Sequence, residues 1–322
     1  MSEPVLKVKN LSQYFRVGGL RSKGLLHALD EISFEVAAGE IVALVGESGS
    51  GKSTIARVLA GLYKPTKGSI VFEGHELHRK ADRATRGRMP MVFQDPFGSI
   101  NPVLRVGHSL SRSLKLHRGD VTTANREAEA VAMVERVGLT PGADVLRRYP
   151  HELSGGQRQR LGFAQALASR PSLILADEPV SMLDVSIRIG LLNVMRALRD
   201  EEGVSILYIT HDLASARYVA NRMIVLYAGR IVEEGLTEEV IGSPRHPYTK
   251  LLMTTAPDPR LPLATVDGGH DLGEPPKVIN PGPGCRFAPR CPLAMDQCRT
   301  STPEFVQLSS THRAACYAVT GA

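Results

Sequence analysis

The segment Gly46-Glu-Ser-Gly-Ser-Gly51-Lys52-Ser53 constrains this chain more than any other. It fits the pattern G-x-x-x-x-G-K-[ST], follows the continuous apolar run Ile41–Val45 and leads into the helical pattern Ile55–Leu62. Glycines at these places let backbone N–H groups curl around phosphate oxygens, and the following helix offers its positive N-terminal end. Gly46, Glu47, Ser48, Gly49, Ser50, Gly51, Lys52, Ser53 and Thr54 are therefore the candidate phosphate-binding residues. Lys52 can reach β- and γ-phosphates, and the Ser53 hydroxyl can ligate Mg²⁺.

Further along, residues 5–9, 32–36 and Lys67–Glu73 read as strands. From about Gln94 to Gln159, including Thr123–Val137, the periodicity is helical. Strand signals return at Leu173–Ala176, Ser205–Ile209 and Met223–Leu226, with helical stretches between them. Such alternation implies an α/β fold with a mainly parallel, helix-covered sheet. At 43% hydrophobic and 22% charged residues the chain can bury a sizeable core, and no apolar run approaches the ~18 residues of a spanning helix. The N-terminal residues show no signal-peptide pattern, so a cytosolic chain is expected. The net charge of +6 is not a nucleic-acid stripe, and the densest basic stretch (Arg79, Lys80, Arg83, Arg86, Arg88) is interrupted by Asp82.

Two more segments carry chemistry. Leu173-Ile-Leu-Ala-Asp177-Glu178 is an apolar strand ending in two carboxylates. Asp177 can hold Mg²⁺, and Glu178 points elsewhere and can polarise an attacking water. Leu153-Ser154-Gly155-Gly156-Gln157 places two glycines at a helix start, a second anion-binding end on one chain. One nucleotide does not need two such sites in one chain; the arrangement makes sense if this segment closes over a nucleotide held by a second subunit.

With these motifs in this order, roughly residues 5–240 resemble the nucleotide-binding subunit of an ABC transporter. The resemblance implies a P-loop NTPase (RecA-like) core with a mainly parallel sheet, an antiparallel β part and an inserted helical subdomain at about 95–160. It implies ATP and Mg²⁺ as ligands, with Mg²⁺ held through Ser53, Asp177 and Gln94. Gln94 matches the Q-loop glutamine, His211 the switch histidine, and Phe15 the aromatic that stacks on adenine, with Tyr14 the second choice. Asp184 in Ser181-Met182-Leu183-Asp184 matches the D-loop, with Met182 where alanine is commoner. Glu178, His211, Lys52 and Gln94 would be catalytic. Arg148, Ser154, Gly155, Gly156, Gln157 and Asp184 would act across a dimer.

Residues 241–322 differ in character: they hold twelve of the 21 prolines and all four cysteines. They are expected to be a loop-rich C-terminal extension with a small core in need of a staple. Ser243-Pro-Arg-His246-Pro247-Tyr248-Thr249 resembles the segment after the ATPase core in oligopeptide/dipeptide importers. It has no evident chemistry and reads as a packing clasp. Cys285, Cys291, Cys298 and Cys316, spaced C-x₅-C-x₆-C-x₁₇-C, lack the close pairs of structural zinc and suit a [4Fe–4S] cluster, as associated with some such importers. Zinc and metal-free cysteines stay open as alternatives.

The leading expectation is an ATPase driving import of oligopeptides, dipeptides or a related solute. Its partners would be a second, related ATPase chain in a heterodimer, two membrane permease subunits and an extracytoplasmic solute-binding protein, without nucleic acid. It would sit peripherally on the cytoplasmic face of the inner or plasma membrane. A soluble ABC ATPase acting on ribosomes or DNA, and a regulatory nucleotide-binding cassette, are the rival readings.

Overall fold

Two sheets organise the chain. The structure is a computed structural model that describes residues 3–18, 24–77, 83–95, 100–255, 276 and 278–319. In the N-terminal sheet, β1 (Leu6–Val17) pairs antiparallel with β2 (Gly24–Val36) and with β4 (Lys67–Phe72), which comes after β3 (Ile41–Val45) in the chain, while β5 (His75–Glu76) forms the edge. The strands expected at residues 5–9 and 32–36 are thus parts of one long hairpin.

The larger sheet is built on β3 (Ile41–Val45), flanked by the parallel strands β8 (Ser205–Thr210) and β9 (Arg222–Tyr227). Outside β8 lie β7 (Leu173–Asp177) and β6 (Met91–Val92), both parallel. On the other side β10 (Arg230–Leu236), β12 (Arg313–Ala314) and β11 (Val306–Gln307) extend it antiparallel.

The strand period of two divides this sheet's side chains between two cores. Val42, Leu44, Leu175, Leu207 and Leu226 face a core shared with the N-terminal sheet and with Ile55 and Leu59 of α1 (Lys52–Leu59). Ile41, Ala43, Ala176, Tyr208 and Val225 face the other core, with most of the helices. That side also takes Leu110 and Leu114 of α3 (Val106–His117), Met133 and Val134 of α4 (Arg126–Arg136), and Val145 of α5 (Gly142–Arg147). The short α2 (Arg83–Gly87) precedes β6; Arg79, Lys80 and Asp82 of the basic stretch lie outside the described residues. α6 (Gly155–Leu167) packs against α7 (Val185–Glu202) and against β6, which places the helical region beside the β6 edge of the sheet, and α8 (Leu213–Val219) follows β8.

The C-terminal region departs from expectation. Tyr248 and Leu252 of α10 (Pro247–Thr255), which follows α9 (Thr237–Gly242), belong to the main core, as do Val278 and Phe287. β12 pairs Ala314 with Glu233 of β10. A separate small core is not what holds this region: its apolar side chains join the main one, and burial of each such side chain is worth ~1.5–3 kcal/mol. The last short helix, α11 (Asp296–Thr300), carries Cys298.

Candidate nucleotide site

The phosphate loop lies where β3 meets α1, at the end of the parallel strands, the crevice in which open α/β sheets hold ligands. Gly51 must be glycine: its φ is 110°, and a Cβ there would come within 2.5 Å of the Ala28 carbonyl oxygen. Lys52 is buried, and its Nζ donates to the carbonyls of Gly46 at 2.7 Å and Glu47 at 2.9 Å. Burial lowers the Lys52 pKa, opposed by the carboxylates of Glu178, Asp177 and Glu47.

Ser53 and Asp177 meet: Ser53 Oγ donates to Asp177 Oδ1 at 3.1 Å. Burial raises the Asp177 carboxyl pKa, partly offset by that hydrogen bond. Two hard oxygen donors, one on a carboxylate with too little water around it, fit a Mg²⁺ ion. Gln94 is elsewhere. Its Nε2 donates to Glu178 Oε2 and to Ser181 Oγ, each at 3.2 Å, so its hydrogen bonds lie on the Glu178 side rather than with Ser53 and Asp177.

Glu178 has a left-handed backbone, φ 47°, which costs a non-glycine residue roughly 1–2 kcal/mol. Its N–H donates to the Ile209 carbonyl at 2.9 Å, which turns the residue away from the strand line of Asp177. His211, at the end of β8, brings Nδ1 to 3.3 Å from Glu178 Oε1. The structure therefore joins Glu178, His211 and Gln94 in one cluster and Lys52, Ser53 and Asp177 in a second beside it.

The residues expected to act across a dimer are gathered elsewhere. Ser154 caps α6: the Gln157 N–H donates to Ser154 Oγ at 3.2 Å and the Ser154 N–H to Gln157 Oε1 at 3.0 Å. This reciprocal box satisfies the first turn. Arg148, Ser154, Gly156 and Gln157 line one concavity together with Arg160, Ser186 and Ile187. Gly155 begins α6, and a Cβ on Gly156 would collide with Ile187. Asp184 is exposed at the start of α7, beside Met182, which is 68% exposed.

Phe15 is half-buried with its ring edge-on to Tyr63, centroids 5.3 Å apart. Tyr14 is engaged elsewhere, since its hydroxyl donates to Asp30 at 2.7 Å and its ring stacks on His27. That separation favours Phe15 for a stacking role.

Several residues of the site escaped the sequence reading. Gln159, on α6, donates to the backbone carbonyls of Gln94 at 2.8 Å and Phe93 at 3.3 Å, tying the signature helix to the glutamine loop. Arg188 of α7 pairs with Asp212 at 3.0 Å, next to His211. Glu47 pairs with Arg290 of the C-terminal region. No local signal in the sequence points to any of these pairings.

The four cysteines are free thiols. Burial raises the pKa of Cys285, Cys291 and Cys316, and neighbouring cysteines of the four add to each shift. They are near one another, but among the described residues no group of three or more His, Cys, Asp or Glu is arranged to hold a metal ion. The thiols expected to hold the cluster thus lie in one region, and among the described residues they form no metal-ion site. Among the described residues no helix is long and apolar enough to cross a membrane.

The chain resembles known proteins along its whole length. A family model described as ABC transporter matches residues 29–181, and one described as oligopeptide/dipeptide transporter, C-terminal region, matches residues 232–298. A putative peptide import ATP-binding protein of Brucella ovis is 42% identical over 316 residues, covering 97% of each chain. The oligopeptide transport ATP-binding protein OppF of Haemophilus influenzae is 38% identical, covering 98% of each. Among solved structures, the ATP-binding cassette MJ0796, a dimer in a post-hydrolysis state bound to ADP and phosphate, superposes with a TM-score of 0.62 at 28% identity, covering 72% of this chain and 98% of that one. Relatives and fold agree: the chain belongs to the ABC transporter family, as an ATP-hydrolysing subunit of the oligopeptide/dipeptide importer type.

Proposed function

We propose that this chain hydrolyses ATP to drive import of an oligopeptide, a dipeptide or a related solute through a membrane permease. The observation that carries the reading is the pairing of two clusters at the sheet's end: Lys52, Ser53 and Asp177 beside Glu178, His211 and Gln94. Relatives named for peptide and dipeptide transport support the solute class.

In this reading the loop amides and Lys52 hold the β- and γ-phosphates. Glu178 orients the attacking water and takes its proton, giving ADP and inorganic phosphate. His211, which touches Glu178, contacts the γ-phosphate, and Phe15 stacks on adenine. Ser53 and Asp177 would hold Mg²⁺, which would supply positive charge against the phosphate oxygens. Gln94 comes to it only if its amide turns from Glu178. Ser154, Gly155, Gly156, Gln157, Asp184 and Arg148 would complete the site of a second ATPase chain, for which a related but distinct partner is proposed. The chain would sit against two permease subunits on the cytoplasmic face of the membrane, with an extracytoplasmic protein delivering solute. The preserved contacts of Glu178 and His211 speak against a purely regulatory cassette.

For the four cysteines, a [4Fe–4S] cluster is proposed as a staple of the C-terminal region, outside the hydrolytic steps; spacing and the mutual proximity of the thiols support it. Iron analysis of anaerobically purified protein tests it, and four titratable thiols without iron would remove it. The function itself is tested by purifying the tagged chain from its native membrane. Permease subunits and solute-stimulated ATPase activity are expected; ribosomes or DNA in their place would overturn the reading.

A further inference from the structure

Glu47, the second residue of the phosphate loop, is held by two residues from the far end of the chain. Its backbone N–H donates to the Tyr248 hydroxyl at 2.8 Å, across 201 sequence positions. Its carboxylate receives a two-pronged ion pair from Arg290, Nη1 to Oε2 at 2.8 Å and Nη2 to Oε1 at 3.1 Å, across 243 positions. Paired N–H donors on both carboxylate oxygens fix orientation as well as distance. The Arg290 side chain is only 11% exposed, so water screens the pair weakly.

The two gripping residues are themselves fixed. Tyr248 is fully buried, with its ring against Tyr227 and Phe287. Its N–H donates to His246 Nδ1, and the His246 N–H donates to Glu233, a buried carboxylate that also meets His312. Arg290 lies over the Tyr227 ring and directly precedes Cys291. From the loop side, Lys52 donates to the Glu47 carbonyl. One residue of the loop is thus held at its N–H by Tyr248, at its side chain by Arg290 and at its carbonyl by the lysine that reaches for phosphate.

We propose that Tyr248 and Arg290 are positioning residues of the nucleotide site: by holding Glu47 they keep the phosphate loop in its binding shape, so that the C-terminal region sets the affinity for ATP. A loop ordered beforehand does not draw on binding energy for its ordering. The inference rests on the reading that this loop binds ATP, and Lys52→Ala serves as the control for that reading.

The test is equilibrium binding of ATP to the full-length chain, together with KM and kcat for ATP hydrolysis. Arg290→Ala and Tyr248→Phe are expected to weaken ATP binding by about 3- to 10-fold and to raise KM, with kcat within about twofold. Arg290→Lys should restore part of the loss. Glu47→Gln, which leaves the C-terminal region untouched, should give a similar shift. Combined with Arg290→Ala it should add little, because both remove one interaction. Arg313→Ala cuts the bond from this region to Glu234 on β10, away from the loop, and should leave ATP binding unchanged. Wild-type affinity in folded Arg290→Ala and Tyr248→Phe, with binding lost in Lys52→Ala, would overturn the inference alone. An equal loss in Arg313→Ala would also overturn it, as general loosening. Unchanged binding in Lys52→Ala would instead remove the reading of the loop on which the inference stands.

Discussion

His211 Nδ1 lies 3.3 Å from Glu178 Oε1, and the other oxygen of that carboxylate accepts from the Gln94 amide. The carboxylate that would activate water is therefore held between residues from two different loops, after β8 and after β6. Its left-handed backbone and its two side-chain partners fix the direction in which it points. A base must point before it can abstract.

Glu178→Gln should leave ATP affinity near that of the native chain while turnover falls by a factor of ~10²–10⁴. The amide keeps size and can still meet Gln94 and His211, but it cannot take the water's proton. ATPase assays with any partner chain's own site disabled measure this. Retention of more than about a tenth of native activity would contradict the assignment.

Lys52→Ala and Ser154→Arg should separate the two halves of the shared site. Lys52 is buried against the loop carbonyls, so its loss weakens ATP binding to the isolated chain. Ser154 is exposed in the separate concavity, and an arginine there should leave that binding intact while stopping hydrolysis in the assembled dimer. It also loses the helix cap, at about 1 kcal/mol of stability. Equal effects of both on isolated-chain affinity would argue against a site built from two chains.

Gln159→Leu should uncouple the glutamine loop from α6. The side chain is 2% exposed and its amide donates to the carbonyls of Gln94 and Phe93, two hydrogen bonds that leucine would remove. Phe93 and Gln94 are exposed and their carbonyls can turn to water, so each hydrogen bond lost is worth ~0.5–1.5 kcal/mol. The expected outcome is a lower melting temperature together with ATPase activity that no longer responds to solute. An unchanged response in the assembled transporter would show that the link is structural only.

What the sequence made legible was local. The octapeptide from Gly46 to Ser53, the acidic end of β7 and the Ser154–Gln157 turn each announce themselves within a few residues, because backbone curl, strand end and helix cap are short-range geometries. The resemblance supplied His211, Gln94 and Asp184, which no single pattern would have raised above ordinary loop residues. The C-terminal region was the least legible. Among the described residues most of its prolines stand outside helices and strands, but the apolar residues that carry it into the main core, Tyr248 and Phe287, stand singly in the sequence. The segment around Tyr248 reads as a packing clasp, yet its hydroxyl reaches the amide of Glu47, a contact that only the folded sheet brings about.

Acid should loosen that same contact through His246. The side chain is 1% exposed and burial alone lowers its pKa to about 4, against an ordinary value of 6.5; the unprotonated Nδ1 accepts the Tyr248 N–H. The unfolded chain binds this proton below about pH 6.5, whereas the folded chain resists it until about pH 4. Stability from this group is therefore fully present above pH 6.5 and declines as the pH falls from 6.5 towards 4, by on the order of 3 kcal/mol. Asp30 acts in a lower window: burial raises its pKa, but the Tyr14 and Arg230 hydrogen bonds outweigh that and lower it, so its contribution is lost only as pH falls below the ordinary carboxylate value of 3.8. Urea-unfolding midpoints taken between pH 7.5 and 4.5 isolate the histidine from the aspartate. The native chain should lose stability across this range, and His246→Asn, which keeps an acceptor for the Tyr248 N–H but does not titrate, should lose distinctly less. Parallel pH profiles for the two proteins would show that the imidazole is not the group responsible.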